Sequence, residues 1–388
     1  MQQQEFDYVV IGGGSAGSVL ASRLSEDATA TVALIEAGPP DRSVLIHCPA
    51  GLAVIAKTGQ ANWKFATEPQ PGLNGRRGYV PRGKVLGGSS SVNAMIYTRG
   101  MREDYDHWAA LGNAGWGWDD VLPWFLKAEH NERGADAFHG TGGPLNVADL
   151  RSPNPYSAHF VQAGVEAGYA PNRDFNGASI EGVGIYQVTH RNGERCSAAK
   201  AYLTPHLARP NLQVLTNAHA TRILSEGRRA VGVELRRGGA IERLRARREV
   251  IVAAGAIQSP QLLMLSGIGP GAELQRLGIA TLHDQPGVAE AHAVAGARAV
   301  GVGVGGRVAG HDCTSGCWAR CERTRATAWS GSPPGEPVSR NPVARRSSSA
   351  RSRAPGASSG PSTRPAKPIT TRSPRSGTRR TRVVVPGS

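Results

Sequence analysis

The sequence predicts an α/β protein: a parallel sheet with helices against it, joined to an antiparallel meander. Three stretches carry that expectation. "DYVVI" (7–11) and "TVALIE" (31–36) are short and apolar, as buried strands are, and "SAGSVLASRLS" (15–25) between them carries a helical apolar stripe. Such a strand–helix–strand unit returns beside its own first strand, which makes the sheet parallel. Beyond these three lies 211–255, where "NLQVLTN", "ATRILSE", "AVGVELRR" and "AIERLRARREVIVAAG" follow one another across short turns. They read as an antiparallel meander that feeds a last buried strand, Val250 to Ala253.

The remaining elements follow in order. Residues 46–80 are rich in Gly and Pro and read as loop. "DYDHWAALGNAGWGWDDVLPWFLKAEH" (104–130) reads as two amphipathic helices separated by a Gly-Trp turn. "SPQLLMLSGIG" (259–269) begins a helix, with Ser259 as N-cap and Pro260 at its first position. There is no internal repeat.

Charge divides the chain sharply. The whole carries +15, but residues 1–288 hold 28 Lys+Arg against 26 Asp+Glu, whereas residues 289–388 hold 17 against 4. The body is therefore nearly neutral, and a nucleic-acid partner is not expected for it. The last leucine is Leu282, and residues 289–388 also lack Phe, Tyr and Met. Such a segment cannot bury enough apolar surface to offset its ordering entropy, so it is expected to be a disordered basic tail. No signal peptide and no 18-residue apolar span is read, which points to the cytoplasm and leaves only peripheral membrane association. Five irregularly spaced cysteines make no disulfide framework.

Chemistry concentrates first at Gly12-x-Gly14-x-x-Gly17, which ends a strand and opens a helix at Ser15; Glu36 ends the next strand. Gly12 permits the sharp turn, Gly14 lets a pyrophosphate approach the backbone, and Gly17 lets helix and strand pack closely. The helix N-terminus offers free N–H groups and partial positive charge to phosphates. An acid at position 36 accepts hydrogen bonds from both hydroxyls of an adenosine ribose and repels a 2′-phosphate, which favours FAD or NAD over NADP. Without a ligand, the same glycines need be no more than a tight turn.

"GKVLGGSSSVNAMIYTRGMREDYD" (83–106) is the second concentration. It is either a serine-rich turn or a polar loop whose backbone lies against a flat ligand. It resembles the first signature of the GMC (glucose–methanol–choline) flavin oxidoreductases, matching at Gly83, Leu86 to Ser90, Val92, Asn93, Tyr97, Gly100 and Asp106. "GAIQSPQLLMLSGIG" (255–269) resembles the family's second signature. The likeness covers about 1–288, and its character is that of choline-dehydrogenase-like and other alcohol dehydrogenases.

The resemblance implies a Rossmann-like FAD-binding domain with an incomplete substrate domain, whose partial segments fall at about 46–80 and 140–190. It places Gly12, Gly14, Ser15, Gly17 and Glu36 on the ADP half of FAD. Arg82, Gly83, Gly87, Gly88, Asn93 and Ala94 lie along the pyrophosphate, ribityl chain and isoalloxazine. Ala220 stands where the family usually has a Val whose backbone meets the adenine. Val92 stands where some members carry a histidine bonded to the flavin, so FAD is expected to be noncovalent. The implied reaction oxidises the CH–OH group of a small alcohol by hydride transfer to flavin N5; the electron acceptor stays open.

The family's catalytic histidine lies in the C-terminal part of a longer chain, and nothing in 289–388 resembles that part. His292 and His311 sit in unrelated sequence, so no catalytic residue is assigned and this chain is expected to be inactive. His139, in "FHGTGGPL", is read as part of a surface turn, and Cys48 and Cys196 as small core residues. His47, His107, His159, His190, His206 and His219 are read as packing or solvent histidines. Cys313, Cys317 and Cys321 do not have the spacing of a zinc site, and no metal is expected. Three accounts compete for the tail: a basic appendage binding nucleic acid or an anionic membrane, a low-complexity linker, or the family's C-terminal part read out of frame after about residue 288. The abrupt shift to Arg, Ala, Gly, Pro and Ser favours the last. The alternative function is a nucleotide-binding protein whose basic tail recruits nucleic acid or a membrane surface.

Overall fold

The computed structural model describes residues 4–288 and the short strand Val383–Val384. Its main sheet contains β1 (Gln4–Ile11), β2 (Val32–Ile35), β3 (Leu212–Leu215), β4 (Ala218–Glu226), β5 (Arg229–Arg237) and β6 (Ala240–Val252), in the order β4-β5-β6-β1-β2-β3. Strands β6, β1, β2 and β3 are parallel neighbours, and β4, β5 and β6 are antiparallel. The expected combination of parallel sheet and meander is present.

The long strand β6 joins the two parts. Its first residues pair with β5, and from Leu244 to Val252 it runs along β1, with a register shift opposite Asp7. Alternation along β1 then serves two faces. Val9 and Ile11, with Ala33 and Ile35 of β2, pack under meander residues Ile223, Val233, Leu235 and Leu244. Val10, with Val32, Leu34 and Ile251, packs on the other face against Ala21 of helix Ser15–Leu24 and against Ala199 and Leu203. All four residues of β2 are buried, which is why "VALI" shows no polar alternation. Val32, Leu34 and Ile35 each contribute about 1.5–3 kcal/mol through burial.

Four expectations are corrected here. Leu212–Leu215 is not part of the meander; it is the parallel edge strand beside β2. The chain leaves it through Asn217, held at φ 53, whose N–H donates to Gly38 O, while Ala218 N–H donates to Glu36 O. These two bonds swing the backbone out of the sheet and into the meander. Within the expected loop 46–80, "GLAVIAKT" forms helix Gly51–Thr58, because Ile55 and neighbouring apolar residues find a cluster with Ile46 and Val85. The helix expected to start at Ser259 starts at Gly255, and Pro260 lies inside it. Its start is set where β6 ends, and the helix tolerates one missing N–H in its second turn. Finally, Val383–Val384 pairs in parallel with Val250 and Ile251 of β6. These two residues are paired in a segment expected to be disordered. The rest of 289–388, including His292, His311 and the three tail cysteines, lies outside the described residues.

The two amphipathic helices appear as Arg102–Ala110 and Trp118–Ala128. Among the described residues, no helix is long and apolar enough to cross a membrane.

Candidate functional site

At the carboxyl ends of the parallel strands the chain turns from β1 into helix Ser15–Leu24 and from β6 into helix Gly255–Leu265, the end of the sheet at which open α/β sheets bind ligands. Gly12 makes the first turn at φ 100, and a Cβ there would lie 2.5 Å from Ala253 O. Gly17 packs tighter still: its Cβ would stand 1.8 Å from Gly12 O. Helix Ser15–Leu24 has Gly14 as N-cap with no side-chain cap, and Ser15 is exposed, so the first N–H groups are left for a ligand.

Glu36 lies beneath this turn. It is 6% exposed; Oε2 accepts from Gly13 N–H at 2.8 Å and Oε1 from Gly38 N–H at 2.8 Å. Burial raises the Glu36 pKa, while the two N–H groups and the charge of Lys84 oppose that rise. Lys84 sits over the Trp63 ring at 4.5 Å, and His219 meets the same ring edge-on. Ala220 follows in β4, two residues beyond the bond that joins Ala218 to Glu36.

The serine-rich loop comes to the glycine turn. Gly87 N–H donates to Gly13 O at 2.7 Å, and Leu86 N–H donates to Pro39 O. Gly88 is so close that a Cβ on it would lie 2.7 Å from the Cα of Gly14. Gly83 N–H donates to Ser89 Oγ. Arg82 is exposed; its guanidinium donates to Pro81 O, and its backbone N–H donates to Asn62 Oδ1. Asn93 and Ala94 are exposed farther along, while Val92 packs on the cluster of Ile46, Ile55 and Val85. The structure thus brings Gly12, Gly14, Gly17, Glu36, Gly83, Gly87 and Gly88 together, with Ser15 and Ala220 at the margins and Asn93 and Ala94 at the far end of the loop.

The residues present fit a dinucleotide. The space over Gly14 is a cradle in which an added Cβ would find nothing nearer than Gly88 Cα at 3.9 Å. Beneath the loop, Arg195 is buried and its Nη2 has no hydrogen-bond partner. Sequence reasoning missed Gly13, Gly38, Lys84 and Arg195. The first two act only through backbone N–H and C=O groups, which leaves no residue-type signal, and Arg195 is recruited from a hundred residues beyond the loop.

Two expectations about other residues fail. His139 is not on the surface. It is 6% exposed, with Nδ1 3.1 Å from Glu129 and Nε2 3.0 Å from Asp174. The hydrogen bond that Glu129 accepts from it raises its pKa; burial opposes this, and Asp174 adds to the rise. Glu129 also forms a buried 2.6 Å ion pair with Arg99. Cys48 is exposed at the end of the short helix Val44–His47, because Ile46 takes the buried position there; Cys196 is buried as expected. Among the described residues, no group of His, Cys, Asp and Glu could hold a metal ion.

Comparison with known proteins agrees with this geometry. The family model described as GMC oxidoreductase matches residues 6–311. An alcohol dehydrogenase [acceptor] of Pseudomonas putida is 50% identical over 286 residues, 73% of this chain and 52% of the relative. An oxygen-dependent choline dehydrogenase of Brucella anthropi is likewise 50% identical over 286 residues, 74% of this chain and 52% of the relative. Among solved structures, pyridoxine 4-oxidase from Mesorbium loti superposes with a TM-score of 0.69 at 37% identity, covering 72% of this chain and 55% of that one. An FAD-dependent oxidoreductase from Chaetomium thermophilum gives 0.68 at 34% identity, covering 73% and 51%. The chain spans about half the length of the curated relatives it matches. Since the family model takes in 306 of its 388 residues, the chain belongs to the GMC oxidoreductase family.

Proposed function

We propose that this chain is the cofactor-holding part of an FAD-dependent oxidoreductase that acts on the CH–OH group of a small alcohol, choline-like or another primary alcohol. The observation that carries this reading is the corner where Glu36, clamped by Gly13 and Gly38 N–H groups, lies under the glycine turn while Gly88 closes on Gly14. Each carboxylate oxygen of Glu36 keeps a second lone pair for a ribose hydroxyl. The N-terminus of helix Ser15–Leu24 stabilises the pyrophosphate charge, and Ser15, Arg82, Gly83 and Gly87 border its path. Ala220 offers backbone to the adenine end; Asn93 and Ala94 meet the isoalloxazine end. Val92 carries no nucleophile, so binding is noncovalent.

FAD supplies, when bound, an acceptor for a hydride from the carbinol carbon. This chain's residues bind and orient it; the histidine that takes the hydroxyl proton is not assigned here. Addition of FAD to the purified chain tests the reading. The expected result is a stoichiometric complex with the visible flavin band, and no bleaching by choline or primary alcohols under anaerobic conditions. Failure to bind FAD overturns the reading; bleaching by an alcohol overturns the missing base.

A further inference from the structure

Arg195 is 1% exposed, and among the described residues no carboxylate offsets its charge: burial holds its pKa below the ordinary arginine value. A buried guanidinium without a counter-charge is costly, so its hydrogen bonds matter. Nε donates to Ile46 O at 2.8 Å, and Nη1 donates to Ser90 O at 3.2 Å and to Asn93 Oδ1 at 2.9 Å. Three donations from one rigid planar group tie the serine-rich loop to the chain at Ile46.

The bond to Asn93 has a directional consequence. Asn93 Oδ1 also accepts from Met95 N–H at 3.0 Å, so two donors converge on the same oxygen. That fixes the amide orientation: the oxygen faces Arg195, and Nδ2, with no partner among the described residues, remains for a ligand. Asn93 itself is exposed, whereas Met95 beside it is buried and held at φ 63, an uncommon conformation for a residue with a side chain. The loop is held in one shape by its surroundings, and that shape presents an N–H donor.

We propose that Arg195 is a positioning residue that turns Asn93 into a hydrogen-bond donor toward the ligand, so that the loop selects a ligand edge made of acceptors. Carbonyl oxygens and unprotonated ring nitrogens, such as those along an isoalloxazine, are that chemistry. The inference rests on the FAD reading above, but the Arg195–Asn93 contact can be tested without FAD.

A double-mutant cycle decides. Arg195→Met is expected to weaken FAD binding about tenfold in the chain with Asn93, and less than about twofold in the Asn93→Ala background, because Arg195 acts through that side chain. Arg195→Lys keeps the charge but cannot make all three bonds, so it gives an intermediate loss and covers the case in which Arg195→Met does not fold. Without FAD, Asn93→Asp pairs with Arg195 and raises the melting temperature, and does so only where Arg195 is present. The same substitution weakens FAD binding at least about tenfold, since an acceptor then faces acceptors. Equal loss from Arg195→Met in both backgrounds would make Arg195 structural and overturn the proposal, as would an Asn93→Asp effect on melting that ignores Arg195. If the unmodified chain takes up no FAD while the melting arm shows coupling, the cofactor reading has failed and the contact stands.

Discussion

Gly14 and Gly88 meet backbone to backbone, and the approach is asymmetric: a Cβ on Gly88 would lie 2.7 Å from Gly14 Cα, whereas a Cβ on Gly14 would have 3.9 Å to Gly88 Cα. The free space therefore lies on the Gly14 side, where a pyrophosphate would sit. Gly14→Ala is expected to leave the melting temperature of the FAD-free chain nearly unchanged and to abolish FAD binding. Gly88→Ala, also held at φ 56, is expected to lower both. Calorimetric melting paired with FAD titration separates the two; a large loss of stability in Gly14→Ala would put its role in folding instead.

Glu36→Gln tests the corner from the other side. The carboxylate satisfies two N–H groups, but an amide has only one oxygen, so one backbone donor would face an NH2 group. An unsatisfied buried donor costs about 1–3 kcal/mol, and that loss should appear in urea unfolding without any ligand. FAD affinity should fall as well, because one ribose hydroxyl loses its acceptor. A variant with unchanged stability would mean that the two N–H bonds are not made in solution.

Arg99 and Glu129 make the most deeply buried ion pair among the described residues, with side chains 2% and 0% exposed. Glu129→Ala would leave the guanidinium unpaired, and removal of one partner of such a pair costs about 3–5 kcal/mol. Replacement of both by apolar residues, Arg99→Met with Glu129→Leu, should cost less than that single change. If the double variant is the less stable of the two, the bond that Arg99 Nη1 donates to Phe138 O outweighs the unpaired charge.

How far these sites were legible depends on where their partners lie in the chain. Gly12, Gly14, Gly17 and Glu36 fall within one strand–helix–strand unit, so spacing alone placed them. The place of Leu212–Leu215 is not legible, because a short strand such as "LQVL" looks the same beside either neighbour; the bonds of Asn217 and Ala218 to Gly38 and Glu36 decide it. "FHGTGG" is irregular backbone with bends at Phe138, Thr141 and Gly142, but the burial of His139 comes from Glu129 and Asp174, ten and 35 residues away. Arg195 meets Ile46, Ser90 and Asn93 only in three dimensions, and no local pattern marks a guanidinium for burial. Local periodicity reports local structure; polar burial is set by distant partners.

Asp7 gives the clearest pH dependence. It lies where β1 and β6 shift register, and it accepts bonds from Thr31 N–H at 2.9 Å and Arg247 Nη2 at 3.0 Å, with Arg248 Nε 3.2 Å away. The Arg247 bond, opposed by burial and aided by Thr31, lowers its pKa from 3.8 to about 2. Because the folded value lies below the unfolded one, the stabilisation is complete above about pH 4 and is lost as pH falls through about 2. Both guanidinium groups are substantially exposed, so solvent screening reduces the contribution to about 1–2 kcal/mol at neutral pH. Asp7→Asn should therefore be less stable than the unmodified chain by that amount at pH 7, with the gap narrowing below about pH 4. Urea unfolding across this range measures it. A gap that stays constant with pH would assign the role of Asp7 to its hydrogen-bond geometry at the bulge rather than to its charge.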